Sequence, residues 1–415
     1  MRLALQEPRN LALLDQALVS GCNFLSVLYI GRHLPAAEFG LFSLALLCTV
    51  FLGNMHRAAI TQPMNVLGSG EKPGAVTARL VTLLRAHALA IPLAGLVVWQ
   101  LSTHFFPDNA VMLSCALFIG CSFLQETLRR YWYTLNRLDK ALMNDALAYG
   151  GRMLLLLAAE AFHGFSGADV FILMAAPTLL AFLLGARALR GSDTGTAAPM
   201  KAVVRQHWQL SRWLIPTVLA VWGASQIYPF LLAGLGPVAV ASFMACRNLL
   251  SATTVVVQSV DNYLPVRAAT LLRQQGREAF KRHLLRTLAY TAGGGLVFVC
   301  VMLLAARPLL SLMYQGTYDG AADILRILPL GTVSMLLGTV LGAYSLAMQD
   351  SRASFLANLG ATAVTLTIGI WLVWHQGLKG AAFATVLTAT TSMLLQGALV
   401  AARFQQLPDL EATHA

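Results

Sequence analysis

Charge is what this chain has least of. Only 11% of its 415 residues are Asp, Glu, Lys or Arg, against about 25% in a soluble domain. So little polar surface cannot cover a soluble body of this length. With 57% hydrophobic residues and a mean hydropathy of +0.66, the composition is that of an integral membrane protein. Acidic residues are the scarcer sign, 18 against 29 Lys and Arg, for a net charge of +11. The basic residues fall in short segments between apolar runs, so they read as orientation signals in a bilayer rather than as a nucleic-acid surface.

Chemical signatures are missing too. No His/Asp/Glu metal cluster, Walker sequence or nucleophile elbow is present, which argues against metal hydrolysis, nucleotide hydrolysis and serine chemistry. Gly293-Gly294-Gly295 lies in an apolar run without the strand context of a phosphate loop, so close helix packing is expected there. The six cysteines (Cys22, Cys48, Cys115, Cys121, Cys246 and Cys300) lack zinc spacing and are expected to be buried free thiols. No enzyme, metal or organic cofactor is expected.

What the chain does have is apolar runs long enough to cross about 30 Å of hydrocarbon. Twelve are found, near 11–32, 38–66, 86–104, 109–126, 141–160, 168–188, 211–234, 237–264, 285–306, 324–348, 353–375 and 380–403. With the N-terminus inside and strict alternation, 22 Lys and Arg fall in inner segments and four in outer loops. That bias predicts cytoplasmic N- and C-termini. The expected fold class is an all-α integral membrane protein of twelve transmembrane helices in two six-helix bundles around a central cavity. The expected domains are 1–195, a cytoplasmic linker at 196–210, and 211–415. "LPAAEFGLF" at 34–42 aligns with "LGPVAVASF" at 235–243, which suggests parallel repeats. The basic amphipathic stretches 125–140 and 267–286 are expected at the inner membrane surface, with Trp132 and Trp208 as anchors.

The first span contains Val19-Ser20-Gly21-Cys22, a match to a lipoprotein cleavage box. Asp15-Gln16 interrupts what would be the signal's apolar core, and apolar character continues past Cys22. On a helix at about 100° per residue, Asp15, Ser26, Asn23, Gln16 and Ser20 share less than half the circumference. This is a transmembrane helix with one polar face, turned toward the protein interior or water. Three arginines also fall within spans: Arg57, Arg152 and Arg247. Arg57 is expected to pair with Asp15. For Arg152 and Arg247, a structural role and an anion-attracting cavity role are weighed equally. Asp261, beside Asn262, is a candidate for coupling or for a helix-end polar pair.

Residues 15–45, "DQALVSGCNFLSVLYIGRHLPAAEFGLFSLA", resemble the opening of the polysaccharide biosynthesis and export proteins, the lipid-linked oligosaccharide flippases. The matching elements are Asp15-Gln16, Ser20, Asn23-Phe24, Arg32, Leu34-Pro35, Glu38-Phe39-Gly40 and Phe42, followed by "AAITQPMNV" at 58–66. These proteins belong to the multidrug/oligosaccharidyl-lipid/polysaccharide exporter superfamily. The resemblance implies a flippase moving an undecaprenyl-diphosphate-linked oligosaccharide to the outer leaflet of the bacterial cytoplasmic membrane, by alternating access. It implies H+ or Na+ as coupling ion, and the bilayer, the lipid-linked glycan, and polysaccharide polymerase and chain-length proteins as partners. Arg247, Arg152, Arg57, Asn23 and Gln16 are the cavity candidates; Asp15 and Asp261 are those for coupling or an ion pair. A cation-coupled drug antiporter of the same superfamily and a membrane glycan polymerase or ligase stay open as alternatives.

Overall fold

The computed structural model describes residues 8–69, 71–105, 109–162, 164–189 and 199–406. They form α1 (Pro8–His33), α2 (Ala36–His56), α3 (Gln62–Gly68), α4 (Pro73–Phe105), α5 (Asn109–Thr134), α6 (Leu138–Asp145) and α7 (Gly151–Phe162). There follow α8 (Gly167–Arg187), α9 (Met200–Ala233), α10 (Pro237–Leu250), α11 (Thr254–Tyr314), α12 (Ala322–Ala347), α13 (Ser351–Val364) and α14 (Ile370–Gln405). Among the described residues there is no strand. Three pairs of helices run on through a π turn: Arg57–Thr61 joins α2 to α3, Ala146–Gly150 joins α6 to α7, and Thr365–Gly369 joins α13 to α14.

Eight helical stretches among the described residues are individually long and apolar enough to cross a membrane, nine with the bent pair Met200–Gly223 and Ser225–Ala233. The stretches Tyr263–Tyr314 and Arg352–Gln405 have 52 and 54 residues, far more than the ~20 that one crossing needs. A break explains each excess: Gly276 (φ 79°) interrupts α11 and Gly377 (φ 56°) interrupts α14, conformations that cost an L-residue's Cβ. These breaks fall where the sequence separates spans eight from nine and eleven from twelve. Span five is divided by the π turn, and span eight begins with the 14-residue α10.

The chain divides into two compact units, Met1–Leu219 and Ala220–Ala415. Residues 200–210 of the expected linker are helical, forming the start of α9. Each unit turns large apolar side chains outward, including Leu89, Leu113 and Phe162 in the first and Leu304 and Trp374 in the second. Solvated proteins rarely carry so much exposed apolar surface; lipid accommodates it. In the first unit Met64, Val76, Leu80, Leu128, Tyr131 and Trp132 pack together, drawn from α3, α4 and α5. In the second, Phe280, Leu284, Val340 and Tyr344 on α11 and α12 do the same. One contact recurs in both: Thr77 Oγ1 meets Tyr131 OH at 2.8 Å, and His283 Nδ1 meets Tyr344 OH. Of the three consecutive glycines, Gly295 is a packing glycine, since a Cβ there would lie 2.7 Å from Val333, whereas Gly293 and Gly294 face open space.

Three expectations need correction. The stretch 125–140 is not a surface segment: α5 runs on to Thr134, and Trp132 is a buried core residue. Trp208 is exposed, as an interfacial anchor would be. Cys300 is exposed and Cys22 half-buried; the other four cysteines are buried, and all six are free thiols.

Candidate functional site: a buried charge cluster and open arginines

Helix α5 carries Glu126, Arg129, Arg130 and Tyr133 at helical spacing, so they share one stripe. Arg129 is the hub. Its Nη2 donates to Asp15 Oδ2 on α1 at 2.8 Å, its Nε to Asp145 Oδ2 at the end of α6, and its Nη1 to Glu126 Oε2 at 3.4 Å. The side chains of Arg129, Asp15 and Asp145 are 8%, 1% and 0% exposed. Tyr133 OH also donates to Asp15 Oδ2, and Arg130 Nε holds Glu126 Oε1 at 2.6 Å. Gln125 Nε2 donates to Asp145 Oδ1 at 2.8 Å and to Asn144 Oδ1 at 3.0 Å, while Asn144 Nδ2 reaches the Ala181 carbonyl of α8 at 2.7 Å. Five charged groups from α1, α5 and α6 are thus held by one network.

Ion pairs survive burial only when nearly every lone pair and N–H is matched. Here one is not: Asp15 Oδ1 is buried without a hydrogen-bond partner. Three carboxylates also face two guanidiniums. An excess buried negative charge and an empty acceptor together make this a place where a cation can bind.

Asp15 is therefore paired with Arg129, not with Arg57 as expected. The reason is the length of α5. Ending that span at 126 assigns Arg129 to a loop, whereas the helix continues and points Arg129 inward at Asp15. Arg57 stands at the surface of the first unit, on the π turn. Arg152 is enclosed. Its Nε and Nη2 donate to Thr178 Oγ1 at 3.1 and 2.9 Å, and its guanidinium lies 4.3 Å from the Tyr149 ring centroid and 4.9 Å from that of Phe118. Gly151 permits this approach, because a Cβ there would sit 2.7 Å from Pro177. Arg247 on α10 is half-buried; its Nη1 donates to Gln226 Oε1 at 2.9 Å. Among the described residues, none of these three arginines has a carboxylate at ion-pair distance.

The polar arc of α1 splits in two. Asp15 and Ser26 are buried, Ser26 with its hydroxyl 4.0 Å from Met153 Sδ. Gln16 and Ser20 are half-buried and bonded to each other at 3.0 Å, and Asn23 is exposed. Asp261 lies on α11, and its side chain is outside the described residues. Among the described residues, no group of three or more His, Cys, Asp or Glu is arranged to hold a metal ion. Reading the sequence missed Arg129, Asp145 and Tyr133, although Asp145 inside an apolar run is a signal of the same kind as Asp15.

The family model MatE matches residues 214–371. No protein of curated function matches the sequence. Among solved structures, a multidrug resistance MATE family transporter of the MOP superfamily in an inward-facing conformation is similar, with a TM-score of 0.75 at 14% identity, over 94% of this chain and 95% of that one. The lipid II flippase MurJ is similar with a TM-score of 0.70 at 12% identity, over 94% and 88%. A MOP superfamily transporter from Pyrococcus furiosus, described by the reversed polarity of its binding pocket, gives 0.63 at 14% identity over 96% and 97%. The fold is that of these transporters.

Proposed function

Starting from a chain that belongs, by its fold and its MatE match, to the multidrug/oligosaccharidyl-lipid/polysaccharide exporter superfamily, we propose that it is a lipid-linked oligosaccharide flippase. Its substrate is an undecaprenyl-diphosphate-linked glycan, carried by alternating access from the inner to the outer leaflet of the bacterial cytoplasmic membrane. The observation that carries this reading is the state of the charges. Glu126, Asp145 and Asp15 are engaged by Arg129, whereas Arg57 and Arg247 have no carboxylate partner among the described residues. A carrier of cationic drugs needs free acids. A carrier of a pyrophosphate needs free guanidiniums, whose paired donors match phosphate oxygens.

In this reading Arg247 and Arg57 meet the pyrophosphate, and Gln16 and Asn23 meet the sugar head. Arg152, being enclosed, positions α7 against α8. The unpartnered Asp15 carboxylate takes the coupling cation. A polysaccharide polymerase and chain-length proteins consume the product outside. The drug-antiporter reading keeps one point in its favour, the similarity to a multidrug transporter's fold.

The deciding experiment follows polymer export and lipid-linked glycan in cells carrying Arg247→Ala. Loss of export at unchanged protein level, with unmodified lipid-linked glycan retained on the inner leaflet, is expected. Normal export in that variant overturns the assignment of Arg247. Drug sensitivity without any glycan phenotype in a null strain favours the antiporter.

A further inference from the structure

Three buried polar side chains lie outside the cluster above. His56 ends α2, His87 is on α4 and Thr127 is on α5; they are 5%, 1% and 0% exposed. The two Nε2 atoms face each other at 3.0 Å. Thr127 Oγ1 is 3.3 Å from His56 Nε2 and 3.1 Å from His87 Nε2. The three atoms form a nearly equilateral triangle. The His56 ring stacks on Phe123 at 4.2 Å and 11°, which fixes its plane. The π turn of α2 begins at the next residue, Arg57.

Counting hydrogens settles what the triangle can hold. His87 Nδ1 lies 2.7 Å from the Leu83 carbonyl, which only accepts, so that nitrogen carries a hydrogen. The Thr127 hydroxyl donates to the Phe123 carbonyl at 2.8 Å, so Oγ1 presents only lone pairs to the imidazoles. In the neutral pair, His56 Nε2–H points at the bare His87 Nε2. A second hydrogen, on His87 Nε2, would ordinarily meet a donor. Here Thr127 offers two lone pairs, one for each Nε2–H. The triangle therefore accommodates one additional hydrogen, and His87 as imidazolium has both its N–H groups accepted.

Charge in this setting is costly and needs an offset. Of the groups packed around the triangle, the carboxylate of Glu126 on α5, one residue before Thr127, acts on His56 in the favourable sense and the neighbouring His87 in the unfavourable one. His87 meets the Leu83 and Phe123 carbonyls. Arg57, next to His56, and Arg129 and Arg130 on α5 are cations whose nearest shared acid is that same Glu126. The site is thus linked through Glu126 to the Asp15–Arg129 cluster.

We propose that His56, His87 and Thr127 form a binding site for a single proton within the first unit, separate from the Asp15 carboxylate. Its use as a seat for a coupling proton rests on the transporter reading; its existence does not.

The test is a pH titration of the purified full chain in detergent micelles, carrying 15N-labelled histidine and followed by NMR from about pH 8 to about pH 4. Signals are assigned with His56→Gln and His87→Gln. The expected result is that these two imidazoles change together and take up one proton between them. Thr127→Val, which removes both lone pairs, is expected to abolish that shared uptake, and Thr127→Ser to keep it. Two imidazoles that stay neutral throughout, or a Thr127→Val chain that titrates like the wild type, overturn the proposal. The wild-type titration alone decides the first point, even where a variant fails to fold. Failed glycan export beside an intact shared titration would count against the flippase and leave the proton site standing.

Discussion

Replacing Arg129 by Met removes the one cation that Asp15 and Asp145 share. Both carboxylates are fully enclosed, and the guanidinium donates to each of them and to Glu126. Breaking a buried pair on one side leaves an uncompensated charge, a cost of about 3–5 kcal/mol. Two carboxylates are stranded here, so the upper part of that range is expected. It corresponds to roughly two to four powers of ten in the folded-to-unfolded ratio. Removing both sides of a buried pair is nearly neutral, so Arg129→Met with Asp15→Asn and Asp145→Asn should recover most of the loss. Reversible unfolding of the purified protein in mixed micelles measures both quantities. A single variant that loses less than about 1 kcal/mol, the scale of an exposed pair, or a triple variant no more stable than the single, would refute the burial argument.

Other expectations follow from the same geometry. Arg57→Glu, at the surface of the first unit, should leave thermal stability within about 0.5 kcal/mol, and equal losses from Arg57→Glu and Asp15→Lys would restore the pairing expected from sequence. Arg152→Met should keep stability within about 1.5 kcal/mol, as volume-conserving swaps do, because the guanidinium has only Thr178 and two rings to lose; a far larger loss in a melting assay counts against this. Gly151→Leu drives a side chain into Pro177 and should cost about 1–3 kcal/mol, measured by the same unfolding. Arg247→Lys keeps the charge but loses the planar fork, so export should fall between that of the wild type and that of Arg247→Ala.

The membrane class and the positions of the spans were legible because hydrophobic length responds to a fixed bilayer thickness. The breaks at Gly276 and Gly377 fall where basic or glycine-bearing segments divide apolar runs. What escaped was the depth of helix ends. Arg129 and Arg130 are adjacent in sequence and look like one basic loop signal, yet they lie about 100° apart on a helix. One is 8% exposed and grips two acids; the other is 21% exposed and holds Glu126 alone. No rule of composition separates them; only the continuation of α5 does. The polar arc of the first span was legible as an arc. Its division into a buried edge at Asp15 and Ser26 and an open edge at Asn23 was not, because that depends on where α6 and α7 pack. The lone His56 and His87 were invisible as a pair, being 31 residues apart on different helices.

The π turn Ala146–Gly150 separates Asp145, held by Arg129, from Arg152, held by Thr178. A π turn is an α-helix with one residue inserted. Returning that residue to α geometry is a screw operation: everything beyond it rotates by about 100° and slides by about 1.5 Å. For α7 this rotation alone would swing Arg152 away from Phe118 and Thr178, with α6 left in place. The same operation after His56 would turn α3, and after Val364 would turn α14. Three spans of this chain thus carry a built-in rotary step, and in two of them a buried ionisable side chain stands at its edge.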